Sequence, residues 1–169
     1  LSTALDLMDG LVDRLNDVLQ DFPLKLDDST PTNFNIYRHK VPEQLNNRVK
    51  IKGSGETQEN VFPFCVVKID TFSKEANVSN QDTAVNVFIG VKNEGYEGQG
   101  YDDVLSCMQH IWNDLNKKPV VASFFKIKYE LDCALNDDDA ETHPYYYGVM
   151  RLRFESPSMQ FVGGYESGE

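Results

Sequence analysis

The chain has 169 residues, 40% of them hydrophobic and 11% aromatic, and a formal charge of −11. That length and apolar content suffice for one packed domain and exclude a wholly disordered chain. The acidic balance, with a pI near 4.6, argues against a surface built to grip phosphates, and no apolar run is long enough to cross a bilayer.

In chain order, Leu5, Met8, Leu11, Val12, Leu15, Val18, Leu19 and Phe22 recur at three- and four-residue spacing. This predicts an amphipathic helix of about six turns, capped by Ser2 or Thr3 and ended by Pro23. Asp6, Asp9, Asp13, Asp17 and Asp21 make the segment unlike a signal peptide. A short strand follows near Ile36–Val41, and then a polar stretch, Pro42–Asn60, with Asn46-Asn47 and Gly53-Ser54-Gly55. A patternless run of that length is usually a functional arm or disordered, and this one is the best candidate for a segment that orders only on contact with a partner.

Val61–Ile69 is dense in apolar β-formers and reads as a strand buried on both faces. Thr71–Gln81 reads as a polar connection. In Thr83–Val91 the residues Val85, Val87, Ile89 and Val91 share one face at period two. After the Gly95–Gly100 loop, a second helix is expected over Tyr101–Asn116, with Val104, Leu105, Met108, Ile111, Trp112 and Leu115 as its buried stripe. Asp102 and Asp103 occupy its first turn, where the helix dipole favours negative charge, and Pro119 closes it. Phe124–Leu135 alternates as a strand through Phe125, Ile127, Tyr129 and Leu131, then meets the exposed acidic turn Asn136–Asp139. Tyr145–Glu155 is the last strand. The expected architecture is α+β: a mainly antiparallel five-stranded sheet against two helices, in the order α-β-β-β-α-β-β. Residues 1–157 form one domain, and 158–169, rich in Gly and Ser, a flexible tail.

The residues that carry chemistry are sparse. Gly95–Gly100 precedes a helix but lacks a dinucleotide fingerprint or P-loop lysine, and Glu94, Glu97, Asp102 and Asp103 would repel an anion. His39, His110 and His143 show no metal-ligand spacing, and Asp137-Asp138-Asp139 lacks the glycine and glutamate of a calcium loop. Cys65 and Cys107 fall in apolar settings where inert thiols are usual, and with Cys133 they suggest reduced thiols in a cytosolic setting. No catalytic constellation, cofactor or metal is expected. Tyr145–Tyr147 with Arg151 and Arg153 could stack and pair with nucleic acid, but aromatics and Arg are equally enriched at protein interfaces. The candidate interface residues are Arg48, Lys50 and Lys52 in the polar arm, and Tyr145, Tyr147, Arg151 and Arg153 on the last strand.

Taken in order, Asn60-Val-Phe-Pro-Phe-Cys-Val-Val-Lys68, Val87-Phe-Ile-Gly-Val-Lys-Asn93, Gln99-Gly-Tyr-Asp-Asp-Val-Leu105 and Pro144-Tyr-Tyr-Tyr-Gly-Val-Met150, closed by Ser156-Pro157, resemble the tail terminator (tail completion, minor tail) proteins of siphophages and prophages. Ile36–Gln44 looks like the family's first strand and its exit. The chain departs from the pattern in the Pro42–Asn60 insertion and in a Tyr-rich last strand that lacks Trp. The resemblance implies a non-enzymatic virion protein, assembled in the bacterial cytoplasm. Its subunits would form a ring, expected to be a hexamer, that caps the tail tube, stops its polymerisation and joins it to the head. The implied partners are further copies of itself, the tail-tube protein and a head-completion or connector protein, with DNA passing through the lumen and no membrane. Pro42–Asn60 and Thr71–Gln81 are then the segments expected to carry tube or head contacts. The competing readings are another neck component, meaning a connector or tail-tube protein, and a small enzymatic or ligand-binding domain using Gly95–Gly100.

Overall fold

A computed structural model describes residues 3–22, 24, 33–41, 61–74, 80–95, 98–136 and 143–157. The Pro42–Asn60 arm, Ser2, Pro23, the acidic residues 137–139 and the tail after Pro157 lie outside the described residues.

Helix α1 spans Ala4–Val18. Thr3 caps it: the Thr3 side chain accepts from the Asp6 N–H, and the Asp6 carboxylate accepts from the Thr3 N–H at 2.6 Å. This is a capping box with Asp in the usual Glu position. The helix runs about four turns, from 3.6 residues per turn, and not the six expected. Its apolar stripe outlives its backbone: Leu19, Phe22 and Leu24 stay buried, while Asp21 adopts a φ of 54° and its N–H donates to Asn33 Oδ1. Leu5 is 53% exposed, whereas Leu7, which the expected stripe passes over, is fully buried.

Seven strands follow: β1 (Asn35–Arg38), β2 (Phe64–Lys74), β3 (Asn80–Lys92), β4 (Val120–Val121), β5 (Phe125–Ile127), β6 (Asp132–Leu135) and β7 (Tyr145–Pro157), with α2 (Gln99–Lys117) between β3 and β4. They form one sheet in the order β1-β2-β3-β7-β5-β4, and β6 adds to β7. The fold is therefore α+β, as expected, with two helices among the described residues. The sheet differs: it has seven strands where five were expected, and it is mixed, because β1 runs parallel to β2. The Phe62–Pro63 and His143–Pro144 peptide bonds are cis.

Two differences have a common cause in exposure. Much of Thr71–Gln81, expected as a connection, is strand: past a bulge at Asp70 (Ile69 opposite Val85, then Thr71 opposite Ala84), β2 pairs with β3 as far as Lys74 opposite Gln81. This end of the hairpin is solvated, so its side chains are mostly polar, with Phe72 the exception, although its backbone is in the ladder. Phe124–Leu135, expected as one strand, is two. Ile127 sits opposite Phe154 and Asp132 opposite Arg151, so four residues, 128–131, face the two between them on β7. The excess pushes Tyr129 and Leu131 outward, to 66% and 41% exposure.

Both helices pack on one face of the sheet. Cys65 and Val67 of β2, Val85, Val87, Ile89 and Val91 of β3, and Met150, Leu152 and Phe154 of β7 meet Leu7, Met8, Leu11 and Leu15 of α1 and Val104, Cys107, Ile111 and Leu115 of α2 in one core. Leu105, expected in the α2 stripe, is 49% exposed, and Trp112 is partly buried. Asp103 is buried, and its carboxylate accepts from Asn93 Nδ2 at 3.3 Å.

Two glycines set how closely the helices approach. A Cβ at Gly10 would lie 3.0 Å from Val121 Cγ1 and from Ala122 Cβ, so α1 can rest on the β4–β5 hairpin. There Arg14 donates to the Lys118 and Val120 carbonyls. A Cβ at Gly100 would lie 2.0 Å from the Tyr146 ring. That ring has little room to move, since its hydroxyl bonds His143 Nδ1 at 3.1 Å and Tyr101 packs edge-on against it at 4.7 Å. Gly100→Ala gains some helix propensity but overpacks this contact, and the clash dominates. The expected loss is about 1–2 kcal/mol, read as a fall in Tm of roughly 2–8 °C in thermal denaturation.

Candidate protein-contact face

Since α1 and α2 cover one face of the sheet, the alternate residues of every strand project from the other. On β7 this rule separates the tyrosine run. Tyr146 turns inward and is buried, while Tyr145 and Tyr147 turn outward, with Tyr147 36% exposed. Arg151 and Arg153 share their side. Four of the residues singled out from the sequence therefore lie on one surface. Arg48, Lys50 and Lys52 lie outside the described residues.

At the Tyr145 end, the surface is aromatic. Val61, Phe64 and Val66 form a small apolar cluster of their own, with Tyr37, Val41 and Phe62 packed around it. Phe62 lies 4.8 Å from Tyr145, 5.1 Å from Phe64 and 6.1 Å from Tyr147, centroid to centroid. Gly90 makes the arrangement possible: a Cβ there would fall 2.4 Å from the Phe64 ring, so the bare backbone of β3 lets the ring lie across it. Phe88, on the same side of β3, is 39% exposed. Burial, and then the proximity of Tyr145, push the Tyr147 phenol above its ordinary pKa. Burial does the same for Tyr37. Both therefore remain protonated hydrogen-bond donors at neutral pH.

Toward the other end the surface is ionic. Arg151 pairs with Asp132 at 2.8 Å, Arg153 with Glu130 at 3.6 Å and Lys128 with Asp82 at 2.8 Å. A shallow groove of about 240 Å³ between the β5–β6 segment and β2–β3 is lined by Asp70, Asn86, Glu130, Asp132, Arg151 and Arg153. The Lys128–Asp82 pair is half-buried, whereas the two arginine pairs are exposed, so each of these contributes at most about 1 kcal/mol to stability. Their larger consequence is that both arginines already carry carboxylate partners. That disfavours phosphate binding and suits a polar contact surface whose charges are mutually arranged.

The sequence reading missed Phe62, Phe88 and Gly90 as members of this surface, and Asp82, Glu130 and Asp132 as partners of its cations. One signal for it was present: a lone glycine inside an apolar strand marks a close approach.

The remaining reactive groups are set elsewhere. His110 is exposed beside the Phe22 ring, 5.5 Å away. Among the described residues, no group of three or more His, Cys, Asp or Glu is placed to hold a metal ion. No helix among them is long and apolar enough to cross a membrane. Cys65 of β2 and Cys107 of α2 are both fully buried. Burial, followed by hydrogen bonding to the Cys107 thiol and repulsion from it, holds the Cys65 thiol well above its ordinary pKa. Cys133, on β6, is exposed, and partial burial and then Asp132 raise its pKa. A thiol reagent applied to the native protein should thus modify Cys133 alone, more slowly than a free cysteine at neutral pH and faster as pH rises. In denaturant all three thiols should react. Mass spectrometry of the labelled protein checks both outcomes.

A scan against protein-family models finds no match to the chain. A search of curated proteins likewise finds no relative.

Proposed function

We propose that this chain is a structural virion subunit, a tail terminator whose copies form a ring on the end of a siphophage tail tube. Ring formation would stop tube growth and present the surface that joins the head. The observation that carries this reading is the face of the sheet that, among the described residues, carries no helix. It places Tyr145, Tyr147, Arg151 and Arg153 together, beside a cluster of aromatic rings and a set of arranged ion pairs. Aromatics and arginines concentrated on one surface are the composition of a protein contact. They coincide with the last strand of the segment order that resembles the terminator family.

The charge distribution supports the same reading. Asp6, Asp13 and Asp17 project from α1 as exposed residues. The chain as a whole carries a charge of −11, and a lumen edged by such carboxylates would repel a DNA backbone and let it pass. Three grooves among the described residues are shallow and lined by charged side chains, including the 240 Å³ one on the contact face. A ligand-binding site is more often a deep, mostly apolar cavity, so this geometry favours the structural reading over the enzymatic one.

The test is assembly. A phage or prophage lacking this gene should produce overlong, headless tails in negative-stain electron microscopy, and supplying the chain in trans should restore normal length and joined particles. Tails of normal length in the deletion would overturn the proposal. Arg151→Ala with Arg153→Ala should cost under about 1 kcal/mol each in unfolding experiments, because the pairs they break are exposed. The same double variant should lower the yield of joined particles at least tenfold.

A further inference from the structure

Among the described residues, part of β2 forms an unpaired margin of the sheet. This strand is eleven residues long, but β1 covers only Phe64–Val67, and the last bond on that side is the His39 N–H donating to the Val67 carbonyl at 2.9 Å. From Lys68 to Lys74 the outer edge has no strand partner among the described residues. Backbone groups in an antiparallel ladder alternate in direction. Those of Ile69 therefore face this margin, as do those of Phe72 and Lys74 past the bulge at Asp70. At about 3.3 Å per residue, the open stretch measures roughly 23 Å. Phe72, in its middle, is 66% exposed.

We infer that this margin receives strand β6 of a second copy of the chain, so that the sheet continues from one subunit into the next. The inference deepens the ring reading above and rests on it for the identity of the occupant. Two observations select that occupant. The first is charge. Among the described residues Lys68 and Lys74 take part in no ion pair, so the margin offers two unpartnered cations to an otherwise acidic molecule. β6 opens on Asp132, next to Glu130, and their side chains remain 67% and 69% exposed even while paired with Arg151 and Arg153. β1 would instead bring Arg38 toward Lys68.

The second is topology. β6 bonds only to β7 among the described residues, its first three residues are exposed, and it lies across the β3–β7 pair from β2. Each copy thus carries a donor margin and a different acceptor margin on opposite sides of one sheet. Such a contact is heterologous, and repeated with a fixed rotation it closes into a ring. The bulge and the two lysines guard the edge against indiscriminate strand pairing, while a strand that supplies carboxylates satisfies them.

Engineered cross-linking of the full chain tests this. Phe72→Cys and Lys74→Cys are made separately and oxidised with diamide, which joins two thiols only where their Cα atoms come within about 7 Å. The exposed native thiol of Cys133 lies on β6, and Cys65 and Cys107 are buried. At least one variant should give a ladder of covalent multimers on a non-reducing gel, and adding Cys133→Ser should abolish it. In parallel, amide hydrogen exchange of the unmodified protein should slow at least tenfold at Ile69 and Phe72 when it assembles. Rings by electron microscopy without cross-links or added protection would overturn the strand pairing and leave the ring reading standing. A ladder that survives Cys133→Ser would also overturn it. A Cys133-dependent ladder from a protein without effect on tail length would support the pairing and overturn the terminator reading. A protein that stays monomeric both free and on tail tubes would overturn both.

Discussion

The antiparallel ladder between β3 and β7 holds the rest of the molecule in place. The two strands pair without interruption from Asn80 opposite Pro157 to Lys92 opposite Tyr145, and each is thirteen residues long. A two-stranded ribbon is marginal alone and gains stability by burying a face. Here one face, carrying Val85, Val87, Ile89 and Val91 beside Met150, Leu152 and Phe154, is buried under both helices. Every other strand is placed by reference to this pair. β2 and β1 extend it on one side, and β5, β4 and β6 on the other.

Among the described residues, both helices cover one face of the sheet and none covers the other. On it the chain segregates two kinds of contact. At one end, rings from β2, β7 and the Phe62 step gather over Gly90, where the absent side chain opens a seat. At the other, Arg151, Arg153 and Lys128 are each matched to a carboxylate. An apolar patch flanked by arranged charges suits the protein contact proposed above, in which such charges would exclude wrong partners more than add affinity. The core thiols fit the same division of labour. Cys65 and Cys107 are inert packing groups at the β2–α2 contact, and Cys133 is a surface marker on an outer strand.

The edges of the sheet are managed unequally. β1 shields the first third of β2, β4 is only two residues long, and among the described residues the rest of β2 has no strand partner on its outer edge, beside exposed Phe72. An open edge is a hazard unless it is used. The proposed ring, in which each copy donates one margin and accepts on the other, would resolve that hazard without a separate interface domain.

Much of this was legible in the sequence. The period-two valines of β3, the three- and four-residue spacing in both helices and the outward placement of Tyr145, Tyr147, Arg151 and Arg153 all follow from local periodicity, which depends only on bond geometry. The tertiary structure alone decided what depends on long-range register. It ended α1 at Val18 while keeping Leu19 and Phe22 in the core, because a buried stripe can be continued by an irregular backbone. It drew Thr71–Lys74 and Asn80–Gln81 of the polar Thr71–Gln81 segment into strands, because ladder bonds do not need apolar side chains. It split Phe124–Leu135 around four residues that face two on β7, turning Tyr129 and Leu131 out to solvent. Such choices arise from which strand lies alongside and in what register, and residues far apart in the chain set them.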